Sequence, residues 1–263
     1  MNEWVSPDQP GANHARINRT AWDETADWYQ RDHHSQLSDN PMKWGVWGIP
    51  ESTLSVLGDV DGKEVLELGC GAAQWSIALA DVGIRPVAMD LSERQLAHAR
   101  RLVADSGSTV PLVAADAEQL PFRDSSFDVV FCDYGAMTFA DPYATVPEAA
   151  RILRSGGLFA FCTTSPIFSM CQPDGAEHPA SRLAGDYFGL HEIHYIEDGE
   201  LESVEFQLPY GDWVRLFRNC GFLIDALIEP KPPESAQSTY RTHEDLEWAL
   251  RWPMECIWKL RLG

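Results

Sequence analysis

Short apolar runs alternate with stretches whose apolar positions recur every three or four residues through the middle of the chain. Residues 64–68 (EVLEL) form one such run, residues 74–82 a helical stretch, and residues 85–90 a second run ending in Asp90. This alternation predicts a parallel sheet, because parallel neighbours need a crossover and the crossover is usually a helix. Ser92 with Gln95 three residues on is a capping-box signature that opens a helix running toward Asp105. A third strand is expected over 110–115 and a fourth over 127–133, whose nearly unbroken apolar run suits a strand covered on both faces. A helix over 144–153 follows, and Gly156-Gly157 turns the chain into a fifth strand over 158–163. Strands over 203–207 and 222–229, with a helix over 212–218 between them, complete the series. The expected fold is α/β: a doubly wound, mostly parallel seven-stranded sheet with helices on both faces.

The flanks follow other patterns. Trp22, Ala26, Tyr29 and His33 recur at helical spacing and predict an N-terminal helix laid over the main domain as a lid. The segment PMKWGVWGIP, residues 41–50, is rich in turn formers and precedes a short helix around 51–57. Residues 164–200 break the alternation with aromatic, histidine and acidic side chains, an insertion after the fifth strand on the substrate side. The expected organisation is a flexible N-terminus over 1–16, a helical cap over 17–57, and a core over 58–229 that includes the insertion. A tail over 230–263 starts at a proline-rich linker and uses Trp248, Trp252 and Trp258 to dock on the core.

Charge narrows the function. Forty acidic against 20 basic side chains give a net charge of -20, which repels phosphate backbones and anionic membrane surfaces. Neither a nucleic acid nor a membrane is an expected partner. Six cysteines without a C-x-x-C pair point to free buried thiols rather than a zinc site or disulfide framework. No apolar segment has the length of a signal peptide core or a membrane span, so a cytoplasmic location is expected.

The segment ELGCGAAQ, residues 67–74, leaves a buried strand and enters a helix, where glycines let a ligand approach the backbone. A dinucleotide motif G-x-G-x-x-G/A would need Gly or Ala where Gln74 stands, and Glu67 would put negative charge beside a pyrophosphate. A cationic ligand with an amino-acid end suits the acidic rim better. Asp90, 21 positions after Gly69, can accept hydrogen bonds from both hydroxyls of a ribose, and Leu91 beside it belongs to the same wall. Asp116, in ADAEQLPF, can face an adenine amino group, and Cys132 and Asp133 end the fourth strand. Strand ends of an open α/β sheet share one crevice, so these residues describe one site.

VLELGCG, the strand ending in Asp90, ADAEQLPF, SFDVVFCD and ARILRSGGLFAF together resemble the class I S-adenosylmethionine-dependent methyltransferases over about residues 63–163. The resemblance implies S-adenosylmethionine as cofactor. Glu67, Gly69, Cys70 and Gly71 would hold its methionine part, Asp90 and Leu91 the ribose, Asp116 and Ala117 the adenine, and Cys132 backbone the amino group. Ala73 stands where the family has a third glycine, which implies a slightly reshaped loop. Similar enzymes close the cofactor pocket with an N-terminal helix, which makes Tyr29 a cofactor contact.

His33, one turn beyond Tyr29, and Tyr134, just past the fourth strand, are the candidate catalytic groups for proton removal. Trp44, Trp47, Phe168 and Tyr187 are the candidate apolar walls for an acceptor. His191 and His194 share H-x-x-H spacing but lack further ligands, so no metal is expected. The expected activity is methyl transfer to a small molecule, with a peptide or carrier-bound acceptor as a variant; the oligomeric state stays open. The alternatives are a nicotinamide-dependent oxidoreductase, or a noncatalytic module that binds an adenosyl ligand.

Overall fold

In a computed structural model the chain is described over residues 2–5, 13–38, 41–172, 178–197 and 199–263. The proline- and glycine-bearing stretch 6–12, part of the expected flexible N-terminus, lies outside these residues, as do positions 173–177 and 198 of the expected insertion. The chain opens with β1 (Asn2–Val5), α1 (His14–Asp32), α2 (His34–Ser38), β2 (Lys43–Trp44), β3 (Ile49–Pro50) and α3 (Glu51–Leu54). The alternating part comprises β4 (Glu64–Leu68), α4 (Gln74–Asp81), β5 (Arg85–Asp90), α5 (Glu93–Ser106), β6 (Leu112–Ala114) and β7 (Phe127–Asp133). It continues through α6 (Gly135–Phe139), α7 (Pro142–Ile152) and β8 (Leu153–Thr164). Beyond it come α8 (Pro166–Cys171), β9 (Glu192–Glu197), β10 (Glu200–Phe206), α9 (Tyr210–Asn219), β11 (Phe222–Ile228), α10 (His243–Ala249) and β12 (Glu255–Leu262).

The seven-stranded sheet has the order β11-β12-β8-β7-β4-β5-β6. β4, β5, β6, β7 and β8 run parallel, while β12 is antiparallel to both β8 and β11. Alternate residues explain why both faces are covered. Leu66, Leu68, Val130, Cys132, Phe159 and Phe161 face one core with Trp213, Phe217 and Trp258. Val65, Val129, Phe131, Leu158, Ala160 and Cys162 face the other with Trp44, Trp75 and Ile257. Burying each large apolar side chain contributes roughly 1.5–3 kcal/mol, so the period-2 pattern of these strands fixes their register.

Two expectations about the sheet change. The segment 203–207 is not a strand of it: β10 pairs with β9, and β9 with β1, in a separate three-stranded antiparallel sheet. The seventh strand is β12, so the tail beyond 229 does not merely dock on the core but supplies an interior strand. Cys256, Ile257, Trp258 and Leu260 are buried between neighbours on both sides, and the interleaved Lys259 and Arg261 obscure the apolar run. Trp248 does dock, packing edge-on against Phe168 at a ring distance of 5.7 Å. All six cysteines are free thiols. Among the described residues no helix is long and apolar enough to cross a membrane.

The helix α1 starts eight residues earlier than Trp22 and lies over the carboxyl end of the sheet. Asn13 caps it by accepting the Arg16 N–H. Asn18, fully buried, donates to the Phe139 and Val204 carbonyls and accepts the Val204 N–H, each at 2.8 Å, which ties α1 to α6 and β10. Asp23 accepts the Ser92 hydroxyl and the Arg94 N–H at the start of α5, and Asp27 pairs with Arg94 and His98. Two acids thus face a helix N-terminus, where the dipole favours negative charge.

Candidate active site

Between β4 and α4 the chain makes a left-handed loop: Gly69, Gly71 and Ala73 have φ of +66°, +53° and +60°. Two glycines adopt this region without cost, whereas Ala73 costs roughly 1–2 kcal/mol there. Ala73 compensates by packing against Ala88, Leu96 and Ala99 in a small core beneath the loop. Gly69 is required for a reason the sequence pattern hides. A β-carbon there would overlap the backbone of Gly135 and Ala136, so the loops after β4 and β7 touch at this glycine. The Gly71 N–H donates to Asp90 Oδ2 at 2.7 Å, joining the loop to the end of β5.

Asp90 also accepts the Ser92 N–H on Oδ1 at 2.8 Å, so both carboxylate oxygens are oriented and each keeps a lone pair for a ligand. Burial raises its pKa to about 6 despite these bonds. Glu67 turns toward α4, where its Oε2 accepts the Ser76 N–H at 3.1 Å and the Ser76 hydroxyl at 2.5 Å. Burial pushes it to about 8, so it is largely protonated at neutral pH. Asp116 accepts the Glu118 N–H at 2.9 Å in the turn after β6.

These residues border one cavity of about 560 Å³. Tyr29, Glu67, Gly69, Cys70, Gly71, Asp90, Leu91, Asp116, Ala117 and Tyr134 all line it. Cys132 does not line it: its side chain is fully buried in the core, its thiol donating to the Tyr134 carbonyl at 3.0 Å, and the wall passes through Asp133, Tyr134, Gly135 and Ala136 instead. His33 is likewise outside the wall. Its ring stacks on Tyr240 at 4.0 Å and its Nδ1 pairs with the Thr239 hydroxyl, so Tyr240 stands where His33 was expected. Burial lowers the His33 pKa.

Of the four expected apolar walls, Phe168 lines the cavity. Trp44 packs into the core on Trp75 and Phe131 and donates to Glu51, leaving only its neighbours Lys43 and Gly45 at the wall. Trp47 packs with Leu246 and Met254, and the Tyr187 hydroxyl accepts the Tyr210 N–H. His191 pairs with Asp141 and His194 with Glu192, so the H-x-x-H pair is divided between two carboxylates.

Tyr134 has φ +61° and ψ -92°, a strained backbone for a residue with a β-carbon, and its hydroxyl donates to Glu255 Oε1 at 2.8 Å. Glu255 and Asp133 hold the segment after β2. Asp133 accepts the Gly45 N–H at 2.9 Å and Glu255 accepts the Val46 N–H at 2.6 Å. Burial raises both carboxyls to about 7, and the nearby Glu255 pushes Asp133 up further. Glu255 Oε2 is buried with no partner among the described residues.

Other parts of the cavity wall come from Ile193, Tyr195 and Glu205 of the small sheet and from Tyr240 and Arg241 before α10; the sequence placed the first two in the substrate-side insertion and Glu205 in an expected strand, and singled out none of the five as a site residue. The alternation in EIHYIE, residues 192–197, was the available signal for Ile193 and Tyr195, which fall on one face of β9. Arg241 carries no pattern at all. Gln74, which excluded a dinucleotide motif, donates to Gln30, and Gln30 donates to Gln95, so three glutamines link α4, α1 and α5 across the loop. The rim near the glycine loop thus offers backbone N–H groups, amides and carboxylates; among the described residues the cations of the lining are Lys43 and Arg241.

The family model described as a methyltransferase domain matches residues 66–161. A demethylmenaquinone methyltransferase of Clavibacter sepedonicus is 34% identical over 148 residues, 56% of this chain and 58% of that protein. The chain spans about half the length of the curated relatives it matches. An S-adenosylmethionine-dependent methyltransferase structure from Mesorhizobium loti superposes with a TM-score of 0.63 at 24% identity, over 82% of this chain and all of that one. The 1,6-didemethyltoxoflavin-N1-methyltransferase of Burkholderia thailandensis, solved with 1,6-didemethyltoxoflavin and S-adenosylhomocysteine, gives a TM-score of 0.59 at 14% identity, over 100% of this chain and 96% of that one. The two structures share the fold.

Proposed function

We propose that the chain, whose residues 66–161 match a methyltransferase domain, takes S-adenosylmethionine as its cofactor and transfers the methyl group to a small molecule enclosed beneath α1. One observation carries this reading: the ends of four adjacent parallel strands meet one cavity whose glycine loop is surrounded by carboxylates and amides. That donor set fits a cation with an amino group and a diol, and it opposes a pyrophosphate. The methyl donor supplies an electrophilic carbon on a positively charged sulfur.

In this proposal Gly69, Cys70 and Gly71 receive the methionine end, Asp90 and Leu91 the ribose, and Asp116 and Ala117 the adenine. Glu67 acts from behind the loop by holding Ser76 and the start of α4 in register. Tyr29, on α1, covers the donor, and its hydroxyl contact to Tyr240 at 3.1 Å closes the lid over it. Excluding water this way strengthens each charge interaction inside and leaves the acceptor as the only nucleophile behind the methyl carbon. Relatives whose names carry demethylmenaquinone or didemethyltoxoflavin support a small-molecule acceptor. Phe139, Phe168, Ile193 and Val46 supply apolar surface for it.

Incubation with S-adenosylmethionine labelled at its methyl carbon and a fractionated small-molecule extract tests the proposal. Label appearing in a low-mass product that depends on the protein is the expected result. Label that enters only protein, or a cavity that converts nicotinamide cofactor instead, contradicts it.

A further inference from the structure

The cavity wall also holds a cation and an acid, Arg241 and Glu205, that form no ion pair with one another among the described residues. Arg241 lines the cavity with its guanidinium carbon 5.0 Å above the Phe168 ring, and among the described residues it forms no hydrogen bond or ion pair. A guanidinium carries five N–H donors, and those of the half-buried Arg241 are open to the cavity and so available to a ligand. A guanidinium held over an aromatic ring keeps its planar fork, which can bind a carbonyl or oxyanion through two parallel bonds.

Glu205 faces the same space from β10. The strand register pairs it with Ile193 and puts it on the face that also carries Tyr195, and all three line the cavity. Tyr195 donates to Glu205 Oε2 at 3.2 Å, and Oε1 has no hydrogen bond among the described residues. One oxygen is therefore oriented and the other is available. Enclosure raises the carboxyl to about 7, against the lowering pull of Tyr195 and Arg241. Burial and the neighbouring carboxylate keep the Tyr195 phenol well above its ordinary value, so it remains a donor. The groups of α1 and α6 that share this wall, Asn18, Trp22, Thr138 and Phe139, do not titrate.

Resting on the methyltransferase reading above, we infer that Arg241 and Glu205 are the acceptor-recognition pair, selecting an apolar, flat molecule that carries a hydroxyl beside a carbonyl oxygen. Arg241 binds the carbonyl oxygen, which acidifies the adjacent hydroxyl by drawing electron density toward the guanidinium. Glu205 Oε1 accepts the hydroxyl proton. The acceptor oxygen's electron pair forms the O–CH3 bond while the methyl–sulfur bond breaks and its pair returns to sulfur, cancelling the sulfonium charge. The products are a methyl ether, a neutral thioether and a protonated Glu205, which releases its proton to solvent when the lid opens.

The test uses the full chain loaded with S-adenosylhomocysteine, and three probes measured by calorimetry: 1-hydroxy-2-acetonaphthone, 2-acetonaphthone lacking the hydroxyl, and 1-naphthol lacking the carbonyl. The complete probe should bind at least tenfold tighter than either partial one, with the bound naphthol absorbing as its oxyanion at neutral pH. Arg241→Gln should remove the preference over 1-naphthol, Glu205→Gln should remove the preference over 2-acetonaphthone and the oxyanion absorbance, and both should bind S-adenosylhomocysteine within twofold of the parent. Equal affinity for all three probes, no binding of any at millimolar concentration, or preferences unchanged in both variants overturns the pair. Failure of S-adenosylhomocysteine to bind the parent chain overturns the cofactor reading instead.

Discussion

Gly69 and Ala136 pack backbone to backbone: a β-carbon on Gly69 would overlap the Ala136 nitrogen, so the loops that follow β4 and β7 are in contact at the floor of the cavity. Gly69→Ala should therefore do more than strain one φ angle. The left-handed conformation alone costs about 1–2 kcal/mol, and separating the two loops adds to it. Gly58, at φ +65° with nothing near its missing β-carbon, is the internal control. Urea unfolding should show Gly58→Ala losing about 1–2 kcal/mol and Gly69→Ala clearly more. Equal losses would mean that the loop contact contributes nothing.

Asn18 fastens the lid. Asn18→Ala removes three hydrogen bonds and strands the buried Val204 N–H, for an expected cost of about 2–4 kcal/mol. Because α1 covers the cavity, hydrogen exchange of the amides in 14–32 should quicken more than exchange in β4 or β7. Uniform loss of protection across the chain would contradict a lid that is fastened locally.

The tail should be indispensable to folding. β12 lies between β8 and β11, and truncation after Pro253 would remove an interior strand and expose the Phe159 and Phe161 face that Trp258 helps cover. The shortened chain should lack a cooperative unfolding transition by calorimetry. A sharp transition near that of the full chain would show that the sheet does not need this strand.

Stability should fall as pH rises from about 4 toward 8. Glu67, Asp90, Asp133, Glu205 and Glu255 have carboxyls raised by burial to values between about 6 and 8. Unfolded carboxyls titrate near 4. Across that window the folded state binds more protons than the unfolded one, so raising pH favours unfolding. Asp27, Asp128, Asp141 and Glu148 shift the other way, and the stability they give is lost only at more acidic pH. Scanning calorimetry should give a higher Tm at pH 5.5 than at pH 8, with a shallower slope in Glu255→Gln. A Tm that rises steadily from pH 5.5 to 8 would contradict the buried, partly protonated acids.

Much of the sheet was legible because its strands are buried on both faces and its helices on one. The runs 64–68, 85–90 and 127–133 became β4, β5 and β7 with almost the expected limits, and Ser92 caps α5 as the capping signature implied. Where a strand mixes charge into its apolar run, as Lys259 and Arg261 do in β12, periodicity fails and only tertiary pairing reveals it. That Glu67, Gly69, Cys70, Gly71, Asp90, Leu91, Asp116 and Ala117 line one cavity was legible, since strand ends and glycines have fixed offsets along the chain. The rest of the wall was not. Arg241, Glu205 and Tyr195 come from distant segments joined by the small sheet and the chain before α10, and no local spacing connects them. His33 illustrates the converse, since helical spacing put it on the right helix face while Tyr240, 207 positions away in sequence, occupies the wall in its place.

Calorimetric titration of S-adenosylmethionine and NAD into the full chain and into Asp90→Ala tests the central claim most directly. Two oriented carboxylate bonds to a ribose are worth about 1.5–3 kcal/mol each, so the substitution should weaken S-adenosylmethionine binding by at least about a hundredfold, with no NAD binding in either protein. Tighter binding of NAD, or S-adenosylmethionine binding that is indifferent to the loss of Asp90, would contradict the account.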